Sequence, residues 1–133
     1  MPPSTTDTRV AARTVSSEDK CDGASTPEIE ACSAREFNQV DRERARLAMQ
    51  LVSRAVQPEP LQPFRGTLPN LKNEWRQSER AFLEYRDHAC NAARVARYPG
   101  SWAGIEQSSC EISLTRAHIA FLRGALDGKG NFP

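Results

Sequence analysis

The chain has 133 residues, with 18 Lys and Arg against 17 Asp and Glu and a formal net charge of +1. This length suits a single domain with a modest core. The balanced charge creates no field that would attract nucleic acid or an anionic membrane, so we expect neither as a partner. No segment approaches the roughly 18 consecutive apolar residues of a membrane span, and we expect none.

The first twenty residues, MPPSTTDTRVAARTVSSEDK, are rich in Ser, Thr and charged groups. They hold too little apolar surface for a core, which predicts a flexible leader over 1–20 and a helical domain over 21–133. The leader also lacks the apolar run of a signal peptide. We therefore expect that a signal peptide has been removed, and a lipid anchor on the natural precursor is left open.

Four cysteines form an even set: Cys21, Cys32, Cys90 and Cys110. In a short chain this favours two disulfides in an oxidising compartment, and hence a periplasmic or secreted protein. A metal site is less well supported, because there is no CxxC and His88 and His118 lie far from any close Cys pair. We expect no metal and no cofactor.

The stretch STPEIEAC, residues 25–32, has the features of a helix start. Ser25 or Thr26 can cap the helix, and Pro27 suits its first turn. From there to about residue 56, apolar residues recur at spacings of three, four or seven, which places them on one helical face. They are Phe37, Val40, Leu47, Leu51 and Ala55. The pattern predicts a first helix.

The following segment, QPEPLQPFRGTLPN at 57–70, holds four prolines and a glycine and is predicted to be a loop. Beyond it, residues at alternating steps of four and three predict a second helix with one inward stripe. The stripe consists of Leu71, Trp75, Ser78, Phe82, Tyr85, Ala89, Ala92 and Ala96.

A turn at Gly100, with Ser101 as the cap, is predicted to lead into a third helix that ends near Leu126. Its expected inward residues are Ile105, Cys110, Leu114, Ala117, Phe121 and Ala125. Since no strand pattern is present, the predicted fold class is all-α. It is a small disulfide-stapled bundle of about three main helices.

The cysteine spacing predicts how the last two helices are joined. Cys90 precedes Gly100 by ten residues and Cys110 follows it by ten, so in an antiparallel hairpin the two lie level. We expect them to be bonded, which leaves Cys21 to pair with Cys32. This is one of the three pairings that four cysteines allow.

The densest group of reactive side chains is YRDHAC at 85–90. Successive helical positions diverge by about 100°, so Tyr85, Arg86 and Asp87 do not converge on one point. Cys90 cannot be a nucleophile while it is in a disulfide. We interpret the motif as structural, expect no catalytic residue and no enzymatic activity, and place His88 towards solvent or a partner.

A series of motifs resembles the lysozyme inhibitor LprI-like family over roughly residues 21–126. In chain order they are Cys21, Cys32, Asp41-x-Glu43, FLEYRDHAC, Gly100-Ser101, Cys110 and LTRAHIAFL with Leu114, Thr115 and Arg116. The resemblance implies a secreted or periplasmic all-helical domain in bacteria. It also implies lysozyme inhibition, known for some members, and no catalysis.

The sequence departs from the family pattern on two helices. After Asp-x-Glu, the family often has Leu, Asn and Tyr where this chain has Arg44, Ala45 and Ala48. The usual Trp before YRD is Phe82, and the usual Gln is Glu79. These changes keep the scaffold but alter the surface of the first helix.

The resemblance implies a protein partner, a lysozyme or another cell-wall hydrolase, which includes a wall-degrading toxin. Such enzymes have acidic groups in a cleft, and Phe64 and Arg65 of the Pro-rich loop would supply an aromatic anchor and a cation. His88 is a further candidate contact. Alternatively, the loop is a connector, DRERAR at 41–46 is a solvated face, and the protein is a non-inhibitory structural or stress-related envelope module.

Overall fold

The computed structural model describes residues 21, 25–57, 59, 66 and 70–128. It contains three long helices: α1 (Thr26–Arg54), α2 (Leu71–Arg97) and α3 (Ala103–Leu126). α3 packs against both of the other helices, which touch each other less. The described residues include no strand, and the predicted all-α bundle is confirmed.

Side-chain caps define the starts of α1 and α2. Ser25 Oγ accepts a hydrogen bond from the backbone N–H of Glu28, whose carboxylate accepts one from the N–H of Ser25. Together they form a capping box, so Ser25 rather than Thr26 is the cap. Asn70 caps α2 by accepting from the N–H of Asn73.

The cap predicted for α3 is wrong. Trp102, not Ser101, is the N-cap residue, and its side chain makes no capping hydrogen bond. The reason is a tight turn that extends one residue further, closed by bonds from Gly100 N–H to Arg97 O and from Ala103 N–H to Gly100 O. A β-carbon at Gly100 would lie 2.8 Å from Arg97 O, which explains the glycine.

The core lies where α1 and α3 pack together. Its buried residues are Leu47, Ala48, Leu51, Ile119 and Leu122, with Val40, Trp75 and Phe121 packed against them. Glu30 lies against Gly104 near the starts of α1 and α3, and Leu51 and Leu126 line one cavity near their ends. α1 and α3 are therefore parallel, with α2 antiparallel to both.

The predicted inward faces of α2 and α3 are partly wrong. Tyr85 is 60% exposed and Ala92, Ala96 and Ala117 are also exposed. The most deeply buried residues of α2 are Arg86 and Cys90, and those of α3 are Ile105, Ile112, Thr115, Ile119 and Leu122. Alanines contribute little apolar area, so the disulfide and the contacts of Arg86 set the orientation of α2.

Both expected disulfides are present. Cys90 and Cys110 join α2 to α3 with a Cα–Cα distance of 5.4 Å, and Cys21 and Cys32 are joined across 5.8 Å. The hairpin prediction therefore holds. Two disulfides indicate folding in an oxidising, extracytoplasmic compartment.

Candidate functional site and the ionic network beneath it

A network of charged side chains connects all three helices. Asp41 Oδ1 on α1 accepts hydrogen bonds from Arg44 Nε at 2.6 Å and from Arg86 Nη1 at 2.7 Å. Arg86 Nη1 also donates to Thr115 Oγ1 on α3 at 3.1 Å. One guanidinium on α2 therefore links a carboxylate on α1 to a hydroxyl on α3.

The Arg86 guanidinium is buried among aromatic rings. Its carbon lies 4.9 Å from the centre of the Phe37 ring and 5.7 Å from that of Phe82, within the range of cation–π attraction. Its Nε is buried without a hydrogen bond, and Asp87 Oδ1 lies 3.7 Å away. Arg86 thus combines ionic and aromatic contacts between helices, while Tyr85 and Asp87 remain exposed.

A second branch of the network passes through Glu79 on α2. Its Oε1 accepts from Arg44 Nη1 at 2.6 Å, and its Oε2 pairs with His118 Nε2 on α3. The His118 ring stacks on the Phe82 ring with centroids 3.9 Å apart, and the centroid of the Phe121 ring lies 5.8 Å from that of His118. Three departures from the family pattern, Arg44, Glu79 and Phe82, therefore meet in one cluster.

Further ion pairs connect the outer edges of α1 and α3. Arg116, exposed on α3, pairs with the buried carboxylate of Glu36. Glu43 accepts from Arg46 at 2.6 Å and from Arg123 at 3.0 Å. The segment DRERAR is thus divided, with Asp41 and Arg44 in the network between the helices and Glu43 and Arg46 in exposed pairs.

The surroundings of the carboxylates in and near this network shift their pKa values. Burial opposes ionisation of Asp41, but hydrogen bonds and charge from Arg44 and Arg86 outweigh it and lower its pKa. Burial likewise opposes ionisation of Glu79, yet His118 and Arg44 hold its pKa below the ordinary value. Glu111 on α3 behaves in the opposite way, because burial raises its pKa more than the charge of Arg86 lowers it.

These shifts predict acid sensitivity. Lowered pKa values at Asp41 and Glu79 mean that their ionised forms stabilise the fold above the unfolded pKa values near about 4. We expect the free energy of unfolding to fall as the pH drops through the folded pKa values. Urea unfolding between pH 7 and pH 3 measures this fall. The double variant Asp41→Asn with Glu79→Gln should be less stable at pH 7, and its free energy of unfolding should depend less on pH. A slope as steep as that of the wild type would contradict this account.

The structure places the predicted partner-binding residues in different situations. Phe64 and Arg65 lie outside the described residues. His88 is exposed on α2, and Ser101 is exposed in the turn between α2 and α3. Two of the predicted motif residues make contacts between helices. Arg86 on α2 contacts both α1 and α3, and Arg116 on α3 contacts α1.

Sequence reasoning missed most partners in the network. The Asp41–Arg44 spacing of three residues was a local signal for an ion pair on one helix. The contacts of Arg86 with Asp41 and Thr115 span 45 and 29 residues, and no local pattern reports them. His118, for which the sequence suggested no partner, pairs with Glu79 and contacts the rings of Phe82 and Phe121.

The described residues hold no cluster of three or more His, Cys, Asp or Glu side chains that could bind a metal. The described helices also lack an apolar stretch sufficient for a membrane span. What they do provide is a scaffold that is cross-linked by two disulfides and by ion pairs between the helices.

The model of one protein family, described as lysozyme inhibitor LprI, matches residues 17–122. That range includes both disulfides, the ionic network between the helices, and all three helices apart from the last turn of α3. No curated protein and no solved structure matches the chain. Since the match covers well over half of its length, the chain belongs to the lysozyme inhibitor LprI family.

Proposed function

We propose that this protein is a periplasmic or secreted inhibitor that binds a peptidoglycan-degrading enzyme and occludes its active site. The observation that carries the proposal is family membership over residues 17–122. The target is a lysozyme or a wall-degrading toxin, and in the second case the protein acts as an immunity protein.

The scaffold suits an inhibitor that acts by blocking. Two disulfides and a network of ion pairs between the helices restrict motion before the partner is met. A rigid binder loses less conformational entropy on association, so more of its contact energy remains as affinity. Polysaccharide hydrolases present a concave site with a pair of carboxyl groups, which a rigid protrusion can fill.

The test is inhibition of purified hydrolases by the oxidised protein. A panel of animal and bacterial lysozymes and wall-degrading toxins is assayed for clearance of peptidoglycan, and complexes are measured by calorimetry. We expect a one-to-one complex with at least one enzyme. Inhibition should raise KM and leave kcat unchanged, because an occluded cleft excludes substrate.

A competition experiment is the control. A short soluble oligosaccharide that fills the cleft should compete with the protein for the enzyme. The absence of both a complex and slower clearance across the whole panel would contradict the proposal. Capture of a different envelope protein without inhibition would favour a structural envelope module.

A further inference from the structure

The turn between α2 and α3 presents two aromatic side chains to solvent. We call residues 98–102, YPGSW, the aromatic tip. Tyr98 is 65% exposed and Trp102 52% exposed, and Val95 beside them is 55% exposed. Tyr and Trp are the residue types most enriched at the centres of protein interfaces. Their exposure on one turn indicates a contact site.

The aromatic tip is held in place before any partner binds. Tyr98 N–H bonds to Val95 O, Gly100 N–H to Arg97 O at 2.7 Å, and Ala103 N–H to Gly100 O. The Cys90–Cys110 disulfide closes the hairpin behind it. The tip is therefore a turn whose backbone is preorganised at one end of the helical hairpin, which reduces the entropy lost when it binds.

Cationic side chains accompany the aromatic ones. Arg94 and Arg97 lie in the last turn of α2. Arg97 pairs with Glu106 at 3.5 Å, and both side chains are well exposed. An exposed pair of this kind contributes little to stability, so Arg97 can exchange Glu106 for a carboxylate on a partner at small cost. The cleft of a glycoside hydrolase contains such carboxylates.

We propose that the aromatic tip enters the substrate cleft of the hydrolase. Tyr98 and Trp102 occupy positions where sugar rings bind, and Arg97 pairs with an acidic group of the cleft. This inference rests on the proposed function and adds to it the part of the surface that makes the contact.

The proposal also selects one end of the bundle. Residues 57–70 connect the end of α1 to the start of α2, whereas the aromatic tip follows the end of α2. α2 has 27 residues, so its two ends are about 40 Å apart. The proposal therefore places the aromatic tip in the cleft, in place of the Phe64 and Arg65 that the sequence predicted.

The experiment compares exposed residues at the two ends. Tyr98→Ala, Trp102→Ala and Arg97→Glu alter the tip. The matched controls Met49→Ala and Val56→Ala alter side chains that are 73% and 80% exposed in the half of the bundle away from the tip. Trp102→Ala removes no capping bond, because the Trp102 side chain makes none. Thermal midpoints of all variants verify folding.

We expect each aromatic substitution to weaken inhibition by about 30-fold or more, the loss typical of a central interface residue. Arg97→Glu should weaken inhibition and reduce its dependence on salt. Both controls should stay within about twofold of the wild type, as surface substitutions usually do.

Two kinds of result would overturn the inference. Folded tip variants that inhibit like the wild type show that another surface binds, and the function stands. The same follows if Phe64→Ala with Arg65→Ala abolishes inhibition while the tip variants retain it. If the wild type inhibits no hydrolase, both proposals fail, whether or not the tip binds isolated peptidoglycan.

Discussion

Replacing Arg86 with Met should lower the free energy of unfolding by about 3 kcal/mol, near the lower end of what breaking a buried ion pair costs. Methionine retains much of the apolar stem but removes the guanidinium. The change leaves Thr115 Oγ1 without this donor and leaves Asp41 with Arg44 as its remaining partner in the network. Urea denaturation at pH 7 measures the loss, since the midpoint should shift at a constant slope.

Two comparisons isolate the ionic part of that loss. Arg80→Met changes an exposed arginine of the same helix that donates a hydrogen bond to nearby Gln77, and it should cost no more than about 0.5 kcal/mol. A double-mutant cycle with Asp41→Asn should show a coupling of at least about 0.5 kcal/mol. If the losses from Arg86→Met and Asp41→Asn simply add, the pair does not act as described.

Removal of the Cys90–Cys110 disulfide should also destabilise the protein by about 3 kcal/mol. The bond spans 20 residues, and the chain-entropy relation for a loop of that size gives about this value. Replacing both cysteines with Ala avoids a buried unpaired thiol at a site where Cys90 is fully buried. Differential scanning calorimetry or urea unfolding provides the measurement.

The other disulfide is the natural control. Cys21 and Cys32 are separated by only 11 residues, so replacing both with Ala should cost less. This expectation follows from the shorter loop and from the partial exposure of Cys32. A larger loss from this pair than from Cys90 and Cys110 would mean that the hairpin is not the main covalent constraint on the fold.

The network and the proposed contact surface are separate parts of the molecule. Arg86, Asp41 and Thr115 meet between the helices, whereas Tyr98 and Trp102 lie on the exposed turn. A variant of Arg86 that is still folded at the assay temperature should therefore inhibit as the wild type does. Loss of stability and loss of binding are thus expected from different substitutions.

The sequence by itself determined the three long helices, their approximate ends and the pairing of the cysteines. These features depend on short-range chemistry: prolines at 57–70 exclude a helix, Ser25 and Glu28 form a capping box, and Cys90 and Cys110 are equidistant from the turn at Gly100. The motifs of this sequence occur in the same order as in the LprI-like family, and the family match over residues 17–122 confirms that resemblance.

Only the tertiary structure decided which face of α2 points inward. The periodic stripe through Tyr85 and the edge through Arg86 and Cys90 differ by a single position, which is about 100° around the helix. Apolar periodicity predicted that the stripe through Tyr85 points inward. Asp41 and Thr115, 45 and 29 residues from Arg86, select the second. A buried guanidinium requires such partners, and their approach depends on how three helices pack.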